Sequence, residues 1–419
     1  MAGRRVGLVC GYFDPARDGV ADYTRQLARH LRAVGLDTLI CTARPHAATG
    51  DADVVEVTHD WGFGGVGPAA RKLARLGLDV VHVQFAPSAF RFSRAVGLLP
   101  ALLPARLPLV VTLHEYGIWQ SAGVAGRSRS AVWSAIERPG WCDRETLLLA
   151  LRADRLLMTS QDHGRVLRRR FGDRALNAAY VPVGCNIPVP DACEVPLALR
   201  LGIRAGLGLP RDTLLVVFFG FLHPVKGLER LIEAVARVRR QRPEVRLVLA
   251  GGEESHSVSG AAARSLRRRL EDVALDLGVR HQLRFTGFMA GDDVSRLLQA
   301  ADVAVLPFDA GVTDKSGTLL AALAHGVPTI ATAPPGEVDS ATVVDGILRI
   351  PPGDTLALTE ALRMVLSDRA LATSLTAAGR ARAARQSWQH IAAIHTQMYV
   401  EGLQRPRLDP VISRRGGGE

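Results

Sequence analysis

Residues 308–332 read FDAGVTDKSGTLLAALAHGVPTIAT. The apolar run just ahead of them, Val303 to Pro307, has the length and composition of a buried strand, and it feeds a polar loop. Ser316-Gly317-Thr318 then opens an apolar helix, Leu319 to Ala324, which Gly326 and Pro328 stop before a second strand. A loop between the carboxyl end of a strand and the first turn of a helix is where an open α/β sheet places ligands. The free N–H groups of that turn, with the helix dipole behind them, suit a phosphate. Lys315 adds a full positive charge just before the turn. Two readings stand here: Ser316 caps a helix and Gly317 relaxes a tight turn, or the same turn grips an anion.

The strand–loop–helix unit recurs in both directions. Upstream, Arg5–Cys10, Thr38–Thr42, Val54–Val57, Val80–Phe85, Leu109–His114, Arg155–Thr159 and Ala179–Val183 read as strands. Helices are expected at Val20–Val34, with Tyr23, Leu27, Leu31 and Val34 as the apolar face, and at Pro68–Leu76 and Gln161–Phe171, with shorter ones near 130–136 and 145–151. Residues 185–196, CNIPVPDACEVP, break both periodicities with three prolines and read as a linker. A second alternating series then runs from Leu214 to Leu366. Short apolar strands separated by amphipathic helices imply parallel sheets covered on both faces, so the fold class is α/β. From Arg380 the pattern predicts one long helix, with Trp388, Ile391, Ile394 and Tyr399 available for packing. The tail from Pro406 is expected to be disordered.

A chain of 419 residues is too long for one ordinary core, which again favours two domains. Its 47% hydrophobic and 22% charged content describe a globular protein. No apolar run reaches transmembrane length and the start lacks a cleavage site, so a cytoplasmic location is expected. Cys10, Cys41, Cys142, Cys185 and Cys193 are scattered without a C-x-x-C pair, which argues against a disulfide frame and a structural zinc. The acidic pair Asp292-Asp293 opens a helix and reads as dipole capping, so no metal is expected. The net charge of +11 comes almost wholly from arginine, in runs such as Arg165–Arg170 without interleaved aromatics. Those runs read as solvated helix faces. Nucleic acid is not expected as a partner, and membrane contact is at most peripheral.

Lysine is the exception in this composition: Lys72, Lys226 and Lys315 are the only three. Lys226 lies in Gly220-Phe221-Leu222-His223-Pro224-Val225-Lys226-Gly227, a strand end turning into a helix, but the glycine spacing of a Walker loop is missing. A third loop, Gly11–Gly19, GYFDPARDG, leads into Val20-Ala21-Asp22-Tyr23. Two of the three lysines thus sit at helix entrances of the second half. That favours a shared anionic ligand.

In order, GYFDPARDGVADYTRQLARHL, VVHVQF, VVTLHEYG, YVPVGCN, FFGFLHPVKGLERLIEA, RLVLAGG, RFTGF, ADVAVLPF, LLAALAHGVPTIAT and the terminal SWQHIA resemble the family-4 (group 1) retaining glycosyltransferases of GT-B fold. The resemblance runs to about Tyr399. It implies two Rossmann-like domains facing a central cleft, residues 1–188 for the acceptor and 189–379 for the nucleotide sugar. It also implies a helix, 380–405, that crosses back to the N-terminal domain, with the tail at 406–419.

By the same resemblance, Lys226 matches the diphosphate-binding lysine, and Ser316, Gly317 and Thr318 match the turn whose amides meet phosphate and sugar. Gly19 matches the glycine near the diphosphate, and His114 a catalytic histidine at the donor sugar. Gly252, Glu253 and Met289 would lie towards the nucleoside. Asp14, Asp22, Tyr23, Gln84 and Tyr116 are candidates to read the acceptor, or else packing and capping residues. Two departures stand out. The family's paired glutamates fall on Thr313 and Ala321, with Asp314 the nearest substitute for the first, and the arginine of the phosphate loop is Phe221, a loss Lys315 would offset.

The function implied is transfer of a sugar from a UDP- or GDP-linked donor, with retention, to a small-molecule or lipid-linked acceptor. The donor is a substrate, and no tightly bound cofactor is expected. Alternatives are a non-catalytic homologue that binds nucleotide sugar, and an epimerase or hydrolase of the same fold. A lipid-linked acceptor is suggested by the basic surface and the apolar segment Phe90–Leu107, against which Pro100, Pro104 and Pro108 weigh.

Overall fold

The computed structural model describes residues 3–15, 18–44, 53–117, 132–172, 178–189, 195–252 and 260–404. Two compact units divide the chain: residues 1–182 with 391–419, and residues 183–390.

In the first unit the strands are β1 Arg5–Val9, β2 Asp37–Ala43, β3 Val54–Thr58, β4 Val80–Phe85, β5 Leu109–Leu113, β6 Arg155–Met158 and β7 Ala178–Tyr180. They form one parallel sheet in the order β3-β2-β1-β4-β5-β6-β7. Every residue of β4 and β5 is buried, as a parallel sheet covered on both faces requires. The helix Gly19–Ala33 follows β1. Asp18 caps it by accepting from Val20 N–H at 2.6 Å, and its buried face carries Tyr23, Leu27 and Leu31.

In the second unit the strands are β8 Leu214–Phe219, β9 Val245–Ala250, β10 Leu283–Gly287, β11 Val303–Leu306, β12 Thr329–Thr332, β13 Thr342–Val344 and β14 Ile347–Ile350. The order is β10-β9-β8-β11-β12-β14-β13, parallel except for β13, an exposed antiparallel edge of three residues too short to show a period in the sequence. In both sheets the strand order reverses beside the first strand, between β1 and β4 and between β8 and β11. The loops leaving those carboxyl ends diverge, and the crevice between them is where such sheets bind ligands. Among the described residues no helix is long and apolar enough to cross a membrane.

Several expected boundaries move. The division falls after Pro182, ahead of the expected boundary at residue 188. Gly184 lies where a Cβ would come within 2.6 Å of the Trp388 ring, and Trp388 Nε1 donates to the Cys185 carbonyl at 2.7 Å, so this stretch packs with the second unit. The long helix expected from Arg380 is two helices, Arg369–Ala384 and Trp388–Gln404. Ser387 starts the second by accepting from His390 N–H at 3.3 Å. Residues 145–148 are not helical: Asp143 and Leu147 exchange backbone hydrogen bonds in a turn, and the helix is only Leu149–Arg152. The helix expected from Pro68 starts at Phe63, and Leu197–Gly206 is a helix the periodicity did not announce. The 406–419 tail lies outside the described residues.

Candidate active site

At the switch point of the second sheet the loops after β8 and β11 are locked together by backbone. Asp309 N–H donates to the Val225 carbonyl at 2.9 Å, and Arg230 pairs with Asp309. Gly227 takes φ 64°, and a Cβ there would fall 2.0 Å from the Pro307 carbonyl, so only glycine permits this approach. The Gly220 Cα faces Thr318, where a Cβ would sit 3.1 Å from Thr318 Cγ2. The end of β8 therefore abuts the first turn of the helix Gly317–Ala324. Ser316 caps that helix, accepting from Leu319 N–H at 3.3 Å, and its hydroxyl lies 2.9 Å from Thr318 Oγ1. The Gly317 and Thr318 N–H groups make no hydrogen bond among the described residues.

Gly317 invites a question of chemistry. Its backbone is helical and a Cβ would meet nothing within 4 Å, so nothing in the protein requires a glycine there. Gly19, also the first residue of a helix, is the same. An alanine at either would be expected to leave the fold unharmed, or to stabilise it by about 0.5–1 kcal/mol. What glycine leaves is access to the amides of a helix N-terminus.

Lys226 sits half-buried, its ammonium 3.5 Å from the centroid of the Phe308 ring. Burial lowers its pKa to about 8. Among the described residues no carboxylate pairs with it, and the ring face offsets only part of the lost hydration. Lys315 is exposed and likewise without a carboxylate partner among the described residues. Asp314 does not take up the missing glutamate's place as a free carboxylate. It pairs with the buried Arg382 at 2.5 Å, and Arg382 also reaches Asp345 at 3.6 Å. Ala321 is fully buried among Leu215, Val217 and Val248, so that position offers no group to a ribose.

Around these loops, a Cβ on Gly251 would fall 1.9 Å from the Gly220 carbonyl, and the Gly252 carbonyl accepts from Leu222 N–H at 3.1 Å. Both glycines thus serve to seat the β8 loop. Met289 packs at the edge of the core that includes Val217 and Ala250. Glu253 lies outside the described residues.

The chain matches two family descriptions in sequence, "Glycosyltransferase Family 4" over residues 17–187 and "Glycosyl transferases group 1" over residues 213–368. The chain belongs to the group 1, family-4 glycosyltransferases. It is similar to a D-inositol 3-phosphate glycosyltransferase of Stackebrandtia nassauensis, 30% identical over 51% of this chain, and it spans about half (48%) of that relative's length. It is 26% identical to a phosphatidyl-myo-inositol mannosyltransferase of Mycobacterium tuberculosis over 94% of this chain and 96% of that one. The structure of Anabaena HepE in complex with UDP and glucose superposes with a TM-score of 0.70 at 17% identity, covering 95% of this chain and 99% of that one. That likeness shows the GT-B fold.

In this family member's first unit, the resemblance-derived residues divide. His114 directly follows β5, nine-tenths buried, with Nε2 2.8 Å from Gln84 Oε1 and the Tyr23 ring edge-on at 4.6 Å between centroids. Of the acceptor candidates, Tyr23, Gln84 and Tyr116 are buried, as the packing reading of these residues expects. Tyr116 donates to Asp143 at 3.0 Å beneath the Arg170 guanidinium. Asp22 pairs with Arg25 at 2.6 Å. Asp14 is half-buried in the loop after β1, and its carbonyl accepts from Asp18 N–H at 2.9 Å.

Sequence reasoning missed the buried charge cluster beside His114. Arg170, expected on a solvated face, is buried and pairs with Asp143 at 3.0 Å and with Glu145. Glu145 in turn accepts from Gly117 N–H at 2.8 Å. The only signal was that Arg170 stands beside Phe171, on the apolar side of its helix.

Proposed function

We propose that this chain transfers a sugar from a nucleotide-diphosphate sugar, UDP-linked or GDP-linked, to an acceptor hydroxyl with retention of configuration. The observation that carries the reading is that a half-buried Lys226, with no carboxylate partner among the described residues, and the open helix N-terminus at Ser316-Gly317-Thr318 lie on the two switch-point loops that meet at the Gly220–Thr318 contact. When the bond from the anomeric carbon to the phosphate oxygen breaks, negative charge grows on the diphosphate. A fixed ammonium and fixed amides in a partly dry site stabilise that charge without reorganising. For retention, the acceptor oxygen bonds to the face the phosphate leaves, and the acceptor proton passes to a phosphate oxygen. We assign to His114 the contact with the transferred sugar, in line with the family resemblance.

The acceptor we favour is a small soluble molecule; the Stackebrandtia relative is named for one such molecule, D-inositol 3-phosphate. A lipid-linked acceptor is the second reading, supported by the full-length likeness to a phosphatidyl-myo-inositol mannosyltransferase.

The test is calorimetric titration with UDP, GDP and their nucleosides. A hydrogen bond to a charged group contributes about 1.5–3 kcal/mol, so Lys226→Ala should weaken diphosphate binding roughly ten- to a hundredfold and leave nucleoside binding alone. The lysine is cationic below its pKa of about 8 and loses its charge above it. Wild-type diphosphate affinity should therefore fall as pH rises through 8, and Lys226→Arg should remove that fall. Gly317→Ala should keep stability while losing diphosphate affinity. Unchanged affinity in Lys226→Ala would sink the assignment, and tight donor binding without any sugar transfer or hydrolysis would favour the non-catalytic alternative.

A further inference from the structure

A ladder of buried polar side chains in contact crosses the interior of the first unit behind His114. Tyr399 Oη lies 2.7 Å from His82 Nδ1, and Thr112 Oγ1 lies 2.8 Å from His82 Nε2. The side-chain nitrogen of Gln84 lies 3.1 and 3.2 Å from the two His82 ring nitrogens, so it rests on the ring face while Tyr399 and Thr112 hold the in-plane positions, and its oxygen lies 2.8 Å from His114 Nε2. His82, Gln84, Thr112 and Tyr399 are fully buried. Strand geometry explains the set: His82 and Gln84 alternate onto one face of β4, Thr112 and His114 onto the same face of β5, and Gln84 pairs with Thr112 in register. Tyr399 comes from the helix Trp388–Gln404, which lays Ile391, Ala392, His395 and Tyr399 inward.

An amide has a donor end and an acceptor end, which gives this ladder a direction. With its nitrogen against the His82 ring, Gln84 presents only an acceptor to His114, so Nε2 of His114 must carry the proton. The edge-on Tyr23 ring restricts the plane of the imidazole from another side. We propose that Gln84 is the positioning residue for His114, holding one tautomer and one ring orientation, and that the ladder extends this hold to Tyr399 on the C-terminal helix. The functional weight of the ladder rests on the assignment of His114 to the transferred sugar.

Long-range proton–nitrogen spectra of the full chain labelled with 15N-histidine read the tautomer of each imidazole, and the His114→Ala spectrum assigns the signal. Wild type should show His114 in the Nε2–H form. Gln84→Met keeps the length but removes the acceptor, and should turn His114 into a mixture of tautomers. Gln84→Glu restores the acceptor, and should keep Nε2–H while raising the His114 pKa. Tyr399→Phe, which leaves Gln84 in place, should move the His114 nitrogen shifts by less. If Gln84→Met does not fold, Tyr399→Phe carries the test, and unchanged His114 shifts in it overturn the ladder. An Nδ1–H wild type, or an unchanged tautomer in Gln84→Met, overturns the proposal as well. In turnover, Gln84→Met should lower kcat by roughly ten- to a hundredfold with donor KM almost unmoved, the mark of misplacement rather than lost binding. Intact turnover in His114→Ala would instead overturn the role of His114, a failure the spectra distinguish from failure of the ladder.

Discussion

Arg170→Ala is expected to cost this protein about 3–5 kcal/mol of stability, because it leaves two fully buried carboxylates without their cation. Asp143 accepts at once from Arg170, from the Tyr116 hydroxyl at 3.0 Å, and from Thr146 N–H and Oγ1–H at 2.9 and 2.6 Å. Burial raises its pKa from the ordinary aspartate value, with Arg170 opposing the rise. Glu145 holds Gly117 N–H, so the cluster anchors the chain that leaves β5 just after His114. Loss of the guanidinium should therefore loosen the surroundings of His114 as well as the fold. Urea unfolding followed by fluorescence would measure the effect. Arg170→Lys, with one ammonium for two carboxylates, should fall between wild type and Arg170→Ala. A loss under about 1 kcal/mol in Arg170→Ala would mean that the carboxylates find protons or water without the arginine.

Mild acid is expected to destabilise the first unit through His395 and His82. Burial holds the His395 pKa down to about 4, and His82 well below its ordinary value, where the charges of His395 and His114 add to burial. His395 Nδ1 lies 2.8 Å from the Ile391 carbonyl, and Nε2 is buried with no partner among the described residues. The folded state therefore keeps these rings neutral, whereas the unfolded chain protonates them near pH 6.5. Their contribution is fully present above that pH and is lost as pH falls from about 6.5 towards 4. For His395 alone the linkage amounts to about 2 kcal/mol between pH 7.5 and 5. His395→Leu should flatten this part of the stability profile in denaturant titrations at a series of pH values. An equally steep fall in that variant would place the acid sensitivity elsewhere.

The alternating apolar runs were sufficient to read the parallel strands of both sheets but not the exposed edge strand β13, because a strand buried on both faces and a helix with one apolar face differ in period whatever lies around them. The strand-to-helix turns that carry Lys226, Ser316 and Gly317 were legible for a related reason. Their chemistry is set by residues adjacent in sequence. The spacing of His82 and Gln84 even put both on one face of β4. Which polar group met them was not legible, since Tyr399 comes from the far end of the chain and no local pattern links the two. The same holds for Arg170, whose run of arginines looks solvated until Asp143 and Glu145 are folded against its last member. It holds again for Tyr23, Gln84 and Tyr116, for which the sequence left acceptor-reading and packing roles open and which are buried in the fold. Composition and period report which surface is apolar. Only tertiary structure decides which polar groups are taken from water, because each must be matched by a partner brought in from elsewhere in the chain.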